Sequence, residues 1–138
     1  MQKTLAIVKP DGVAAGLVGE VVKRIEGEGL RIVGMRMEQL TQTKAEGFYY
    51  VHRDKPFFGS LMEFMTSGPV VLMTLEGVDA IKRWRSLMGA TNPEKADPGT
   101  IRRDMATSIE RNVVHGSDAV DTASFEVNYF FTGTELMG

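Results

Sequence analysis

The stretch TLAIVKPDG, residues 4–12, joins a short apolar run to a turn. The run covers residues 4–8 and is stopped by the sequence PDG, which favours a turn, so it predicts a buried strand. Apolar residues then recur at helical spacing, with charged residues between them, at Val18, Val21, Val22 and Ile25. This spacing predicts an amphipathic helix that ends at Gly27 and Gly29.

Three further strands are predicted from the pattern of apolar residues. In RIVGMRMEQL, residues 31–40, apolar side chains alternate with other residues as in a half-exposed strand, at Val33, Met35 and Met37. The apolar segment PVVLMTL, residues 69–75, predicts the third strand. The two valines before His115 predict a fourth, short strand.

Helices are predicted between and after these strands. Thr43 with Glu46, and Ser60 with Glu63, fit the capping-box pattern and predict an inserted helical hairpin that breaks at Pro56. After the third strand, a helix face is marked by Val78, Ile81, Trp84, Arg85 and Met88 and stops at Gly89. A last helix, capped by Asp118, is predicted to carry Val120, Ala123, Val127 and Phe131.

The remaining segment, ATNPEKADPGT at residues 90–100, has two prolines, a glycine and no periodicity. It predicts a long loop of the kind that is often functional. The order of elements favours an α/β (α+β) fold, a ferredoxin-like βαββαβ sandwich with an inserted helical hairpin and a long Pro-rich loop before the active-site strand. A length of 138 residues, of which 43% are hydrophobic, predicts a single domain over residues 1–138.

Composition excludes several classes of protein. A net charge of −2 argues against a general electrostatic hold on nucleic acid, and any basic site must be local. There is no cysteine, so disulfides and thiolate–zinc sites are impossible and metal ligands must be oxygens. Because the first apolar run is too short for a signal peptide and nowhere do about 18 apolar residues run together, we expect no membrane segment and a cytoplasmic protein.

Single residues carry little information by themselves. His115 is one of only two histidines and stands at the end of an apolar run, where a solvated strand-end histidine is the simplest interpretation. The glycines at positions 12, 16 and 19 form neither GxGxxG nor a P-loop, and Gly16 is better explained as a helix-entry residue. Lys9 at the end of the first strand, and Tyr49 and His52 three residues apart, also have ordinary structural explanations.

Together, however, four blocks in this order closely resemble nucleoside diphosphate kinases over nearly the whole chain. They are LAIVKPDG (5–12), YYVHRDKPFF (49–58), TNPEKADPGTIRRD (91–104) and RNVVHGSDAV (111–120), and the NxxHGSD element is highly specific to that family. The resemblance implies a ping-pong reaction in which a nucleoside triphosphate phosphorylates His115 and the phosphohistidine phosphorylates a different nucleoside diphosphate. A neutral imidazole is a competent nucleophile near pH 7, which suits that relay.

The resemblance also implies a role for each matching residue. Around the nucleophile His115 it places Glu126 on the opposite ring nitrogen, together with Lys9, Tyr49, Asn112 and Ser117. The residues implied in nucleotide binding are Lys9, His52, Phe57, Arg85, Thr91, Arg102, Ile109 and Asn112. Among these, Phe57 and Ile109 match the pair that clamps the base, and Lys9 and Asn112 match the contacts to the ribose 3′-hydroxyl.

Further expectations concern the ion and the phosphate. Mg²⁺ should enter with the nucleotide and keep several waters, with Asp118 contacting it through water. Gly116 is expected to leave room for the approaching phosphate, and Ser117 to donate to its oxygens. Because stacking grips any base, we expect broad base specificity and acceptance of both ribo- and deoxyribonucleotides.

The chain departs from the commonest family pattern at Ala119, Arg103 and Met105, which puts loop packing and the subunit interface in doubt. Its short C-terminal segment resembles the bacterial members, and a homo-oligomer built from dimers is expected, either tetramer or hexamer. Two alternatives stay open on fold alone. An RNA-binding module would need an RNP-type strand, which is absent. A catalytically silent nucleotide-binding or regulatory domain should have lost His115 or an arginine, whereas all are present.

Overall fold

The computed structural model of the protein describes residues 1–137. Four strands form one sheet, β1 (Gln2–Val8), β2 (Arg31–Glu38), β3 (Val70–Gly77) and β4 (Val114–Gly116). The spatial order is β2-β3-β1-β4, and every neighbouring pair is antiparallel. The sequence correctly predicted all four strands and their βαββαβ arrangement.

Helices cover both faces of the sheet. They are α1 (Pro10–Ala14), α2 (Val18–Gly27), α3 (Gln42–Phe48), α4 (Phe58–Met65), α5 (Ala80–Met88), α6 (Ile101–Met105) and α7 (Val120–Phe130). Short 3-10 turns lie at Tyr50–His52, Pro93–Lys95 and Gly133–Glu135. Among residues 1–137, no helix is long and apolar enough to cross a membrane.

Strand β1 shows how the two faces are divided. Leu5 and Ile7 pack with residues of α3, α4 and α7, whereas Ala6 and Val8 pack with residues of α2, α5 and α6. Both central strands are therefore covered on both sides, which explains why β1 and β3 are almost continuously apolar. Strand β2 lies at an edge, where Val33 is buried while Met35 and Met37 are exposed.

Several predicted helix starts were wrong. Thr41, not Thr43, caps α3, because its hydroxyl accepts from the Lys44 N–H at 3.1 Å. Ser60 lies inside α4 and caps nothing. Local S/T-x-x-E patterns occur inside helices as well as at their starts, and only the backbone conformation separates the two cases.

The last helix also begins one residue later than expected. Ala119, not Asp118, is the residue before α7, and its N–H is satisfied by Thr122 Oγ1 at 2.9 Å. Val78 lies outside α5 and is exposed. The helices α1 and α6 were not predicted, since each spans only five residues and shows no full period of apolar side chains.

Candidate active site

His115 occupies the middle of the three-residue strand β4, paired with Ile7 of β1. Its ring faces the layer formed by α3 and α7, where the Phe48 ring lies edge-on at 5.4 Å between centroids. The imidazole Nε2 lies 2.9 Å from Glu126 Oε1 on α7. Adjacent elements of the sheet and helix layers thus bring the two residues together across eleven positions of sequence.

Glu126 is itself held in place by Ser117. The Ser117 hydroxyl donates to Glu126 Oε1 at 2.8 Å and accepts from the Leu5 N–H at 3.2 Å. Ser117 is fully buried, and its one hydroxyl hydrogen points at the carboxylate. In this arrangement Ser117 acts on His115 through Glu126, whereas the expected donation to a phosphate oxygen would require the hydroxyl to turn.

The carboxylate sets the chemistry of the ring. An ionised carboxylate only accepts hydrogen bonds, so the contact with Glu126 requires the hydrogen on Nε2 of His115. In the neutral ring, Nδ1 then carries the unshared electron pair. The arrangement therefore presents Nδ1 as a nucleophile and keeps a negative charge beside Nε2, where positive charge develops when Nδ1 is alkylated, acylated or phosphorylated.

The peptide of His115 is fixed from the other face of the sheet. The buried Trp84 indole N–H donates to the His115 carbonyl at 3.2 Å. A Cβ atom at Gly116 would lie 2.7 Å from the Trp84 ring and 2.8 Å from Met88. Gly116 is thus needed for close packing of Trp84 in the core, and room for an approaching phosphate stays a prediction.

Val113, two residues before the histidine, has a strained backbone that the sequence did not reveal. Its φ of 72° lies in the left-handed region, which a β-branched residue rarely adopts. Two contacts hold it there, since Asp11 Oδ2 accepts from its N–H at 3.0 Å and its carbonyl accepts from the Lys9 N–H at 2.8 Å. The PDG turn after β1 therefore shapes the chain that leads into His115.

Lys9 and Asn112 form a buried polar pair. Lys9 Nζ donates to Asn112 Oδ1 at 2.8 Å, and Asn112 Nδ2 donates to the Thr91 carbonyl at 3.2 Å. Burial, and then the charge of Arg102, lower the pKa of Lys9 to about 8. Three predicted site residues from distant parts of the sequence therefore meet at one place.

The two predicted phosphate-binding arginines lie beside β4. Arg102 is buried and donates to three backbone carbonyls, those of Gly89 at 3.2 Å, Asn112 at 3.4 Å and Val114 at 2.8 Å. Burial and then the charge of Arg85 lower the pKa of Arg102 to about 10. Arg85 is more open, and pairs with Asp118 at 2.9 Å. Both cations thus stand close to the strand that carries His115.

Two buried polar atoms on the α3 side have no hydrogen-bond partner among residues 1–137, Tyr49 Oη and His52 Nδ1. The Tyr49 ring stands at 87° to the His115 ring, 6.1 Å away, and burial followed by the charge of Glu126 raises the pKa of its phenol. Buried polar groups are nearly always paired. The unpaired Tyr49 hydroxyl beside His115 therefore suits a contact with a polar ligand.

The predicted base clamp lies at the surface. The Phe57 ring, 47% exposed, stands 5.8 Å from the His52 ring, and Ile109 is 57% exposed on the loop before β4. Exposed apolar side chains can form part of a ligand-binding surface. The structure thus brings Lys9, Arg85, Arg102, Asn112 and Glu126 to β4 or to its neighbours in the chain, whereas Phe57 and Ile109 lie at the surface.

A comparison with known proteins identifies the family. The model of the family described as nucleoside diphosphate kinase matches residues 2–136. The nucleoside diphosphate kinase of Desulfosudis oleivorans is 66% identical over 138 residues, which is 100% of this chain and 99% of that protein. The chain belongs to the nucleoside diphosphate kinase family. The family and the enzyme class inferred from the sequence are confirmed.

Solved structures confirm the fold of this nucleoside diphosphate kinase. The Aquifex aeolicus nucleoside diphosphate kinase has a TM-score of 0.96 and 44% identity, covering 99% of both chains. A halophilic nucleoside diphosphate kinase from Halobacterium salinarum, solved in complex with CDP, also has a TM-score of 0.96 at 44% identity, covering 99% of this chain and 91% of that one. The predicted ferredoxin-like architecture is therefore correct.

The departures from the commonest kinase pattern have structural explanations. Arg103 donates to the Glu94 carbonyl at 3.1 Å and so braces the Pro-rich loop. Met105 packs, half-buried, against the core on the α5 side of the sheet. Ala119 stands before α7, where the neighbouring Thr122 supplies the cap.

Asp118 is the one residue predicted to contact a divalent ion, through a water molecule. The Asp118 carboxylate is 76% exposed and paired with Arg85. Within residues 1–137, no group of three or more His, Asp or Glu side chains is placed to hold a metal ion.

Proposed function

We propose that this nucleoside diphosphate kinase transfers the γ-phosphate of a nucleoside triphosphate to a nucleoside diphosphate through a phosphohistidine at His115. The observation that carries the proposal is the 2.9 Å contact between His115 Nε2 and Glu126 Oε1. This contact leaves Nδ1 available to attack the γ-phosphorus. An N–P bond forms while the bond from phosphorus to the bridging oxygen breaks, and the nucleoside diphosphate leaves. A second diphosphate then takes the phosphoryl group by the reverse step.

The charges around His115 support this chemistry. Phosphoryl transfer needs mainly positioning and stabilisation of charge on the transferred oxygens. Arg85, Arg102 and Lys9 supply cations near β4, and Tyr49 Oη and His52 Nδ1 supply unpaired polar atoms. We assign Thr91 to the same phosphate contacts. Glu126 offsets the positive charge that the ring acquires when Nδ1 bonds to phosphorus.

We assign the nucleoside to the open side of the cleft. Phe57 and Ile109 would hold the base between apolar surfaces, while Lys9 and Asn112 would bind the ribose 3′-hydroxyl. Stacking contributes about 1–3 kcal/mol per base and depends little on the identity of the base. The enzyme is therefore proposed to accept many bases, and both ribo- and 2′-deoxynucleotides.

The divalent ion of this reaction is proposed to be Mg²⁺. When bound, Mg²⁺ neutralises phosphate charge and orients the phosphate oxygens. Asp118 would contact one of its waters, and this assignment rests on the exposed carboxylate beside Arg85.

We further propose that residues 1–138 form one domain and that the kinase is a cytoplasmic homo-oligomer built from dimers. The edge strand β2, with Met35 and Met37 exposed, supports association of subunits. The lack of cysteine is compatible with a reducing compartment. Native mass spectrometry distinguishes a tetramer from a hexamer.

The test of the proposed function is intact-mass analysis after incubation with Mg-ATP. The wild-type protein should gain one acid-labile phosphate per chain and lose it to added GDP with formation of GTP. His115→Ala should gain none. The chain has only two histidines, so His52→Ala serves as the matched control and should still be phosphorylated, more slowly. Phosphorylation of the His115→Ala protein would place the nucleophile elsewhere.

A further inference from the structure

A hydrogen bond joins the two segments that carry the proposed base clamp. The Ser60 hydroxyl donates to Glu110 Oε2 at 2.9 Å, across fifty positions of sequence. Ser60 lies in the first turn of α4, which begins directly after Phe57. Glu110 follows Ile109 on the loop before β4. The carboxylate therefore stands where the two walls of the base cleft come together.

Glu110 also lines two concavities of the protein surface. It lines a concavity of about 800 Å³ together with Ile109, and a smaller one of about 220 Å³ together with Ser60. Its negative charge is one of the influences that raise the pKa of Lys9, against the larger effect of burial. The field of the carboxylate thus reaches the pair that we assign to the ribose.

The hydrogen bond with Ser60 orients the carboxylate and uses only one of its oxygens. The hydrogen bonds found among residues 1–137 do not engage Oε1 of Glu110. A carboxylate accepts hydrogen bonds and cannot donate them. It therefore attracts an amino group on the edge of a base and repels a carbonyl oxygen in the same place.

We propose that Glu110, oriented by Ser60, is a specificity-determining residue that accepts a hydrogen bond from an exocyclic amino group of the base. This inference rests on the proposed function. Contacts with Phe57 and Ile109 alone would treat all bases alike, because every base offers a face for stacking. An oriented acceptor instead favours the base with an amino group over the matched base that has a carbonyl or hydrogen there.

The expected preference is modest because Glu110 is exposed to water. A hydrogen bond formed in exchange for one to water typically contributes a factor of roughly three to ten in binding. A preference of that size is compatible with a kinase that accepts every base.

The experiment starts from isolated phosphoenzyme and measures kcat/KM for single-turnover transfer to diphosphates that differ at the amino group. GDP and IDP differ only at the 2-amino group, whereas ADP against IDP and CDP against UDP compare an amino group with a carbonyl. Glu110→Gln keeps the size of the side chain, but its amide can donate to a carbonyl oxygen as well as accept from an amino group, so it should equalise ADP with IDP and CDP with UDP. The GDP and IDP pair tests the wild type only, because the amide oxygen of glutamine can still accept from the 2-amino group. Glu63→Gln is the matched control, because Glu63 lines the same small cavity but does not bond to Ser60.

We expect at least one of the two amino–carbonyl pairs to favour the amino-bearing base by roughly three- to tenfold in the wild type and in Glu63→Gln, but not in Glu110→Gln. Equal rates for every pair in the wild type would overturn the inference. So would an amino-over-carbonyl preference that persists in Glu110→Gln, or one that disappears in Glu63→Gln as well. If no phosphoenzyme can be isolated, the proposed function fails and this inference fails with it. If phosphoenzyme forms and serves all bases equally, only the role of Glu110 is wrong.

Discussion

His115 Nε2 and Glu126 Oε1 lie 2.9 Å apart, and Glu126 accepts a second hydrogen bond from Ser117 through the same oxygen. One carboxylate oxygen thus orients the ring and is itself oriented by a buried hydroxyl. The pair defines which ring nitrogen is available for bonding to phosphorus, and its electrostatic contribution can be measured.

Glu126→Gln should slow phosphorylation of His115 by ATP by roughly one to two orders of magnitude. The amide oxygen can still accept from Nε2, so the ring orientation is preserved, but the negative charge that balances the phosphorylated ring is lost. Rapid-quench measurement of phosphoenzyme formation at saturating Mg-ATP tests this. An unchanged rate would mean that the carboxylate charge has no part in the reaction.

Ser117→Ala should lower the free energy of unfolding by about 1–3 kcal/mol, because it leaves the Leu5 N–H without an acceptor and removes one hydrogen bond to the Glu126 carboxylate. Urea denaturation measures the change. Ser124→Ala, at an exposed position of α7, is the control and should have almost no effect. Equal effects of the two substitutions would contradict a special role for the buried hydroxyl.

Gly116→Ala should destabilise the protein by about 1–3 kcal/mol, since the new methyl group would press on the Trp84 ring and Met88 inside a packed core. Gly59→Ala is the matched control. Gly59 lies in α4, and a Cβ atom added there would meet nothing within 4 Å, so alanine should be neutral or slightly stabilising. Thermal denaturation of both variants tests the difference, and a tolerated alanine at position 116 would show that the core around Trp84 can yield.

The stability of the protein should rise with pH through a contribution from Lys9. Burial, and then Arg102, lower its pKa in the folded state to about 8 from 10.5. The unfolded chain therefore binds more protons between those values, and stability from this group rises over that range by an amount on the order of 3 kcal/mol. Below about pH 8 the folded protein bears the full penalty of a buried ammonium.

The measurement for Lys9 is the free energy of unfolding by urea from pH 7.5 to 10.5. Lys9→Met keeps most of the length of the side chain without the charge, so the Lys9 part of the pH dependence should disappear. Identical slopes for the wild type and Lys9→Met would show that Lys9 titrates normally in the folded protein.

Nucleotides without a 3′-hydroxyl should phosphorylate His115 roughly one to two orders of magnitude more slowly than ATP. Lys9 and Asn112, which bond to each other at 2.8 Å, are the proposed partners of that hydroxyl. Single-turnover reactions with ATP, 2′-deoxy-ATP and 2′,3′-dideoxy-ATP at saturating Mg²⁺ test this, and 2′-deoxy-ATP should match ATP. If the dideoxy compound reacts as fast as ATP, the pair must have another role.

The sequence alone determined the family and the fold class, and it predicted the residues of the site. The motif blocks are continuous stretches of sequence. Residues such as Lys9 and His115 are therefore recognised from their immediate neighbours in the chain, without any knowledge of the tertiary structure. Apolar runs and apolar periodicity also located the four strands and the longer helices, because the sides of each that face the core had to be buried. Helix starts such as Thr41 were missed, since a capping pattern does not reveal the local φ and ψ angles.

Only the tertiary structure decided the contacts between distant segments. The position of Glu126 against His115 depends on how α7 packs on the sheet, and the fit of Gly116 to Trp84 depends on the rotation of α5. The hydrogen bond between Ser60 and Glu110 depends on the distance between α4 and the loop before β4. Such contacts arise from packing of whole elements in three dimensions, and residue spacing along the chain does not encode them in any local pattern.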